Sequence, residues 1–135
     1  MADPEGNLTP VQYEILQAVW ERGEEGATVA EIWRMISKER PVGRTTVLNL
    51  VDRLEKRSWL TRRRTQGVYR YRATLDQEQT ANVLASEFVD DFFGGKASDL
   101  VMSLLGNKRI TKDELERLRK LVDRASPKSK RRKDK

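Results

Sequence analysis

The chain predicts a mainly α protein: a winged helix-turn-helix domain with a small two- or three-stranded sheet, followed by a C-terminal three-helix dimerisation region. Three observations carry this. An amphipathic segment over 44–57 opens with Arg44-Thr45-Thr46 and keeps polar residues on one face. A breaker, Arg40-Pro41-Val42-Gly43, separates it from an apolar-striped segment upstream. Downstream it runs into a hairpin pattern, Leu60 to Ala73, holding five arginines and no acid.

Each element has a local cause. Residues 1–8 carry no periodicity and are expected to fray. Thr9-Pro10 starts the first helix: the threonine caps, and proline supplies a preset φ where no donor is needed. Val11, Ile15, Leu16, Ala18, Val19 and Trp20 give that helix a wide apolar face to about Glu21. Gly23-Glu24-Glu25-Gly26 reads as a loop. Thr28-Val29-Ala30-Glu31 is a capping box, in which Thr and Glu satisfy each other's backbone amides across one turn. The helix it opens turns Val29, Ile32, Trp33 and Ile36 to a core.

In the third helix Val47, Leu50, Val51 and Leu54 fall at i, i+3, i+4 and i+7, one face of a 3.6-residue period. Thr45, Asn49, Asp52 and Lys56 point the other way. Leu60–Thr65 and Val68–Ala73 read as strands joined by the two-residue turn Gln66-Gly67. Arg70 and Arg72 alternate with Tyr69 and Tyr71, so one strand face is expected to be aromatic and the other cationic.

Beyond Asp76 the pattern is helical only. Gln77–Phe93 carries Val83, Leu84, Phe88 and Phe92; Gly94-Gly95 ends it. Ser98–Leu105 carries Leu100, Val101, Leu104 and Leu105. Thr111-Lys112-Asp113-Glu114 is a second capping box, opening a helix with Leu115, Leu118, Leu121 and Val122. Three such helices bury little alone, and pairing with another copy covers their stripes. The expected organisation is a winged-helix domain over 8–75, a dimerisation domain over 76–125 and a disordered basic tail over 126–135. The dimer residues are Val83, Leu84, Phe88, Phe92, Leu100, Leu104, Leu115, Leu118 and Leu121.

Charge is segregated. Of the net +6, residues 38–72 alone hold +8 and the tail +5, while residues 1–37 hold −5. A local basic block points to a polyanionic partner. In a major groove the third helix offers Arg44 and Arg53 to phosphate or guanine, Thr45 and Thr46 to phosphate or a thymine methyl, Asn49 to adenine and Leu48 to a thymine methyl. Arg62, Arg63, Arg64, Arg70 and Arg72 concentrate charge on the hairpin, and Arg62, Arg63, Arg64 and Arg70 above all are expected to contact the backbone, which sets affinity and salt dependence but not sequence choice. The bland readings are a solvated helix face and an edge strand charged against aggregation. Trp20, Trp33 and Trp59 lie among apolar neighbours and are expected in the core.

The chain has no cysteine and no histidine, which removes thiolate and imidazole chemistry and the usual zinc and copper sites. The acidic pairs Asp90-Asp91 and Asp113-Glu114 sit on solvated helix positions rather than converging on the basic surface, so no catalysis, metal or cofactor is expected. With no signal-peptide pattern or long apolar run, direct membrane association is not expected and a cytoplasmic location is. The rival reading is a winged helix that docks an acidic protein partner, since fold does not settle function. RNA fits less well, because A-form helices deny a reading helix their deep, narrow major groove.

The ordered set of motifs resembles the penicillinase-repressor family of bacterial winged-helix regulators, which includes β-lactamase, methicillin-resistance and copper-transport repressors. The resemblance runs from about Leu8 to Arg124. It rests on Leu8-Thr9-Pro10 with Glu14-Ile15-Leu16 and Val19-Trp20, on Thr45 through Leu60, on Tyr69-Arg70-Tyr71, on Phe92 through Val101, and on Thr111 through Leu118. It implies a homodimer on an inverted-repeat operator, often with TACA/TGTA half-elements, that represses by occluding a promoter. Thr46 matches a recognition-helix threonine and Arg53 a basic position that contacts backbone or braces the helix. Thr45, Leu48 and Asn49 fall where members vary.

Three features depart from the family pattern. In the β-lactam-responsive branch, the resemblance would link the chain to a membrane sensor protease through cleavage of an Asn-Phe bond, but Ser103-Leu104 stands there. The copper branch's Cys-x-Cys motifs have no counterpart. Ala73 replaces the usual proline after the wing.

Overall fold

The computed structural model describes residues 3–125. Its elements are α1 (Pro10–Arg22), a short 3-10 turn (Gly23–Glu25), α2 (Val29–Ser37), α3 (Arg44–Lys56), β1 (Leu60–Thr65), β2 (Val68–Ala73), α4 (Gln77–Phe92), α5 (Ala97–Gly106) and α6 (Lys112–Ala125). They form two compact units, the first ending at Phe88 and the second beginning at Val89.

Local sequence explains most of the helix starts. Thr9 accepts from the Gln12 amide and Gln12 returns the bond to Thr9 N–H. Thr28 and Glu31 do the same for α2, Asp76 and Gln79 for α4, and Thr111 and Glu114 for α6. Each such cap contributes about 1 kcal/mol. Threonine and glutamate three residues apart mark the α2 and α6 boxes in the sequence. The α1 and α4 boxes are less legible there because they use Gln12 and Gln79 at N3 in place of glutamate.

The core of the first unit is built by α1, α2, α3 and the hairpin. Ile15, Leu16, Val19, Ile32, Val47, Val51, Leu54, Trp59 and Leu60 are sealed from solvent. β1 and β2 pair antiparallel, with Leu60 opposite Ala73, Arg62 opposite Tyr71, Arg63 opposite Arg70 and Arg64 opposite Tyr69. Gln66 (φ 53°) and Gly67 (φ 80°) both take positive φ, the mirror-image turn whose twist matches that of the strands. A third piece joins the sheet: Ala27 exchanges both backbone hydrogen bonds with Tyr71, at 2.8 and 2.9 Å. Gly26 makes that approach feasible. Its φ is +81°, and a Cβ there would stand 2.9 Å from the Tyr71 carbonyl oxygen.

The three indoles each donate to a backbone carbonyl of a connecting segment. Trp20 bonds Leu75, Trp33 bonds Val42 and Trp59 bonds Glu5. Apolar burial and a satisfied N–H together make them ties between helices and loops. Trp59 and Arg57 also correct the expectation that residues up to Leu8 fray. Glu5 N–H donates to the Arg57 carbonyl, and the Arg57 guanidinium donates to the Asn7 carbonyl.

A second difference concerns α4. The sequence places the domain boundary after residue 75, yet the contacts divide the chain after Phe88. Thr80 is buried and Val83 packs against the core cluster of the first unit. Val83, expected in the dimer stripe, is partly buried against that core. In the second unit no α5 or α6 residue is fully buried. Leu100, Leu104 and Leu115 are half-buried, as is Leu84 on α4. The expected tail over 126–135 lies outside the described residues.

Candidate nucleic-acid interface

α3 is two-sided. Val47, Val51 and Leu54 are sealed, while Arg44, Thr45, Thr46, Leu48, Asn49 and Arg53 are all exposed. Leu48 is 47% exposed, an uncommon position for leucine on a helix whose other face is dry. The turn into α3 is fixed from two sides: Trp33 Nε1 donates to the Val42 carbonyl at 2.8 Å, and Arg40 pairs with Glu14 at 2.7 Å. At the N-terminus of α3 the cap residue is Gly43, which offers no side-chain hydrogen bond. The first-turn amides thus face outward beside Arg44, an arrangement that favours an anion.

The hairpin is less simple than the sequence suggests. Directly opposed residues share a sheet face, so Arg62 and Arg64 lie on the face of Tyr69 and Tyr71. The aromatic face is therefore cationic as well. The Arg62 guanidinium carbon stands 4.3 Å from the Tyr69 ring centre and that of Arg64 stands 5.5 Å from it. The Tyr71 side chain beside it, with Tyr69 and Glu55, holds the Arg62 pKa above its ordinary value. Tyr71 itself is buried in the core, while Tyr69 is exposed.

The other face carries Thr61, Arg63, Arg70 and Arg72. Arg70 differs from its neighbours. It is half-buried, pairs with Glu31 at 3.6 Å and donates to the Gly26 carbonyl at 3.4 Å. Glu31 also pairs with Arg22 at 3.2 Å. The Thr28 backbone hydrogen bond, then Arg22, Arg70 and Arg34, hold the Glu31 carboxyl below the ordinary carboxylate value despite partial burial. Arg70 thus braces the hairpin against the start of α2, while Arg62, Arg63, Arg64 and Arg72 are the exposed arginines of the hairpin. Of the two hairpin tyrosines, one of which the sequence leaves to pack and the other to support the wing, Tyr71 packs and Tyr69 lies against the arginines. The signal for it was present: a two-residue turn at Gln66-Gly67 sets the register that puts Tyr69 opposite Arg64.

Among the described residues no cluster of acids has metal-ligand spacing, and no helix is long and apolar enough to cross a membrane. Three helices, a hairpin beside the third and an exposed polar face on that helix define a winged-helix protein. The penicillinase-repressor family matches residues 8–124. The chain belongs to that family, whose members are transcriptional regulators and not enzymes. It is 23% identical to a penicillinase repressor of Staphylococcus aureus over 95% of this chain and all of that one. It is 18% identical to the methicillin resistance regulatory protein MecI of Staphylococcus aureus strain N315, over 87% of this chain and 94% of the other. The solution structure of the Bacillus licheniformis BlaI monomeric form in complex with the blaP half-operator aligns at 18% identity and a TM-score of 0.47. That alignment covers 54% of this chain and 87% of that one.

Proposed function

We propose that the chain is a cytoplasmic transcriptional repressor that binds an inverted-repeat operator as a homodimer. α3 enters the major groove and the hairpin grips the backbone. The observation that carries this reading is the two-sidedness of α3. The residue types that read base edges, Asn49, Thr46 and Arg44, stand exposed on a helix whose opposite face is locked into the core. Arg62, Arg63 and Arg64 supply backbone attraction beside it.

The dimer is supported by α5 and α6. Val101, Met102 and Leu105 on α5, and Leu118, Leu121 and Val122 on α6, are exposed apolar residues on helices with no buried residue. Helices of this composition gain stability by burying such stripes against a second copy. With Ser103-Leu104 at the family's cleavage pair, relief of repression through a sensor protease is not part of this reading.

The test is a mobility-shift titration against fragments selected from the source genome and against random duplex. Asn49→Ala and Thr46→Ala should each cost about tenfold or more on the selected fragment and much less on random DNA. Equal losses on both would remove the base-reading role.

A further inference from the structure

The hairpin face turned away from the Tyr69 stack holds an unexplained concentration of charge. Arg63 sits directly opposite Arg70, and Arg72, opposite Thr61, is the next residue on that face of β2. Side chains at such positions are within about 5 to 8 Å of one another, and like charges directly opposite destabilise a sheet. These residues line a concavity of about 200 Å³ together with Arg62 and Glu25. Three guanidinium groups of this face, those of Arg63, Arg70 and Arg72, thus stand against one lining carboxylate, while that of Arg62 is stacked on Tyr69 on the other face. The carboxylates nearby are already engaged: Glu25 with Arg22 at 3.8 Å, and Glu31 with Arg22 and Arg70. Among the described residues Arg63 and Arg72 make no ion pair. The walls are held in place, since Ala27 is bonded to Tyr71 on both sides and Arg70 is anchored to Glu31 and Gly26.

We propose that this concavity is a phosphate-binding site, with Arg63, Arg72 and the Thr61 hydroxyl as its ligating groups and Arg70 as a braced wall. Guanidinium edges and a hydroxyl supply donors that suit the acceptor-only oxygens of a phosphate, and the one lining carboxylate, Glu25, is engaged by Arg22. An anion there offsets the repulsion that the pairing register creates. The site adds Thr61 to the residues that meet a ligand and joins Arg72 to Arg63 in one place. Its phosphate can come from a DNA backbone, in which case it extends the proposed function, or from a small phosphorylated molecule.

Pyrophosphate is the probe, titrated calorimetrically into the full chain at constant ionic strength. A single saturable site is expected, weakened at least tenfold by Arg72→Ala and severalfold by Thr61→Val. Arg64→Ala, on the opposite face, should leave it within twofold. Absence of saturable binding, or equal weakening by Arg64→Ala and Arg72→Ala, overturns the site in favour of diffuse attraction. Circular dichroism of each variant separates lost binding from lost fold, and Arg72→Lys keeps the test open if the alanine variant unfolds. The salt dependence of duplex binding then identifies the source. A slope reduced by about 0.9 in Arg72→Ala assigns a backbone phosphate, and an unchanged slope assigns a free ligand. Failure of the operator reading would appear separately, as equal losses on selected and random duplex for Asn49→Ala and Thr46→Ala.

Discussion

The guanidinium carbon of Arg62 lies 4.3 Å from the centre of the Tyr69 ring, with Arg64 over the same ring at 5.5 Å. Stacking occupies the face of a guanidinium and leaves its N–H edge free, so the ring presets two cations for a phosphate backbone. Tyr69→Ala should weaken binding to every duplex about fivefold, because the arginines must then be ordered on binding. The salt slope should stay the same, since the number of phosphates neutralised is unchanged. Tyr69→Phe keeps the ring and should bind as the parent does. A changed slope in Tyr69→Ala would mean that the ring does more than position.

Removing the arginines themselves has the opposite signature. Arg62→Ala, Arg63→Ala and Arg64→Ala should each reduce the slope of log K against log salt by about 0.9 and weaken specific and random duplexes alike. Titrations at four salt concentrations measure this. Loss confined to one sequence would reassign that arginine to base reading.

Glu31 couples the fold to pH. Its carboxyl is held below the ordinary value, chiefly by the Thr28 amide and then by Arg22, Arg70 and Arg34. A group with a depressed folded-state pKa contributes stability that is complete above its unfolded value, about 4.5, and is lost as pH falls through the folded value. Urea unfolding of the parent should therefore lose stability on acidification below about pH 4.5. Glu31→Gln should be less stable at pH 7 by about 1 kcal/mol and show a flatter profile over that acid window. Parallel profiles for the two proteins would show that Glu31 does not carry the effect.

Gly26 governs the base of the wing. Its φ of +81° and the 2.9 Å approach of a Cβ to the Tyr71 oxygen leave no room for a side chain. Gly26→Ala should cost about 1–3 kcal/mol of unfolding free energy. It should also speed hydrogen exchange at the Ala27 and Tyr71 amides, which bond each other's carbonyls. Protection equal to that of the parent at both amides would sink this account of the third strand.

The exposed α6 stripe makes a quantitative demand. Leu118→Glu with Leu121→Glu places two charges where an apolar partner surface is proposed, and should raise the dimer dissociation constant at least tenfold in sedimentation equilibrium. The winged-helix unit should keep its thermal transition, since Leu118 and Leu121 lie in the other compact unit. An unaltered association would place the dimer contact elsewhere.

What the sequence determined by itself was local. The hairpin limits 60–65 and 68–73 follow from alternation around Gln66-Gly67, and the α2 and α6 starts follow from threonine and glutamate three residues apart. The outward face of α3 follows from a 3.6-residue period. Each signal is carried by residues within one or two turns of one another, so no knowledge of distant partners is needed. The tertiary structure decided what depends on pairing across the chain. Arg70 is a brace because Glu31 lies beside it, 39 residues earlier. The segment around Glu5 is held because Trp59 reaches it, and Val83 is partly covered because the first unit's core extends to it. A side chain's own identity cannot distinguish a free cation from a paired one. Only the folded backbone, by choosing which distant group comes within hydrogen-bonding reach, separates the arginines left for a ligand from the one that holds the wing in place.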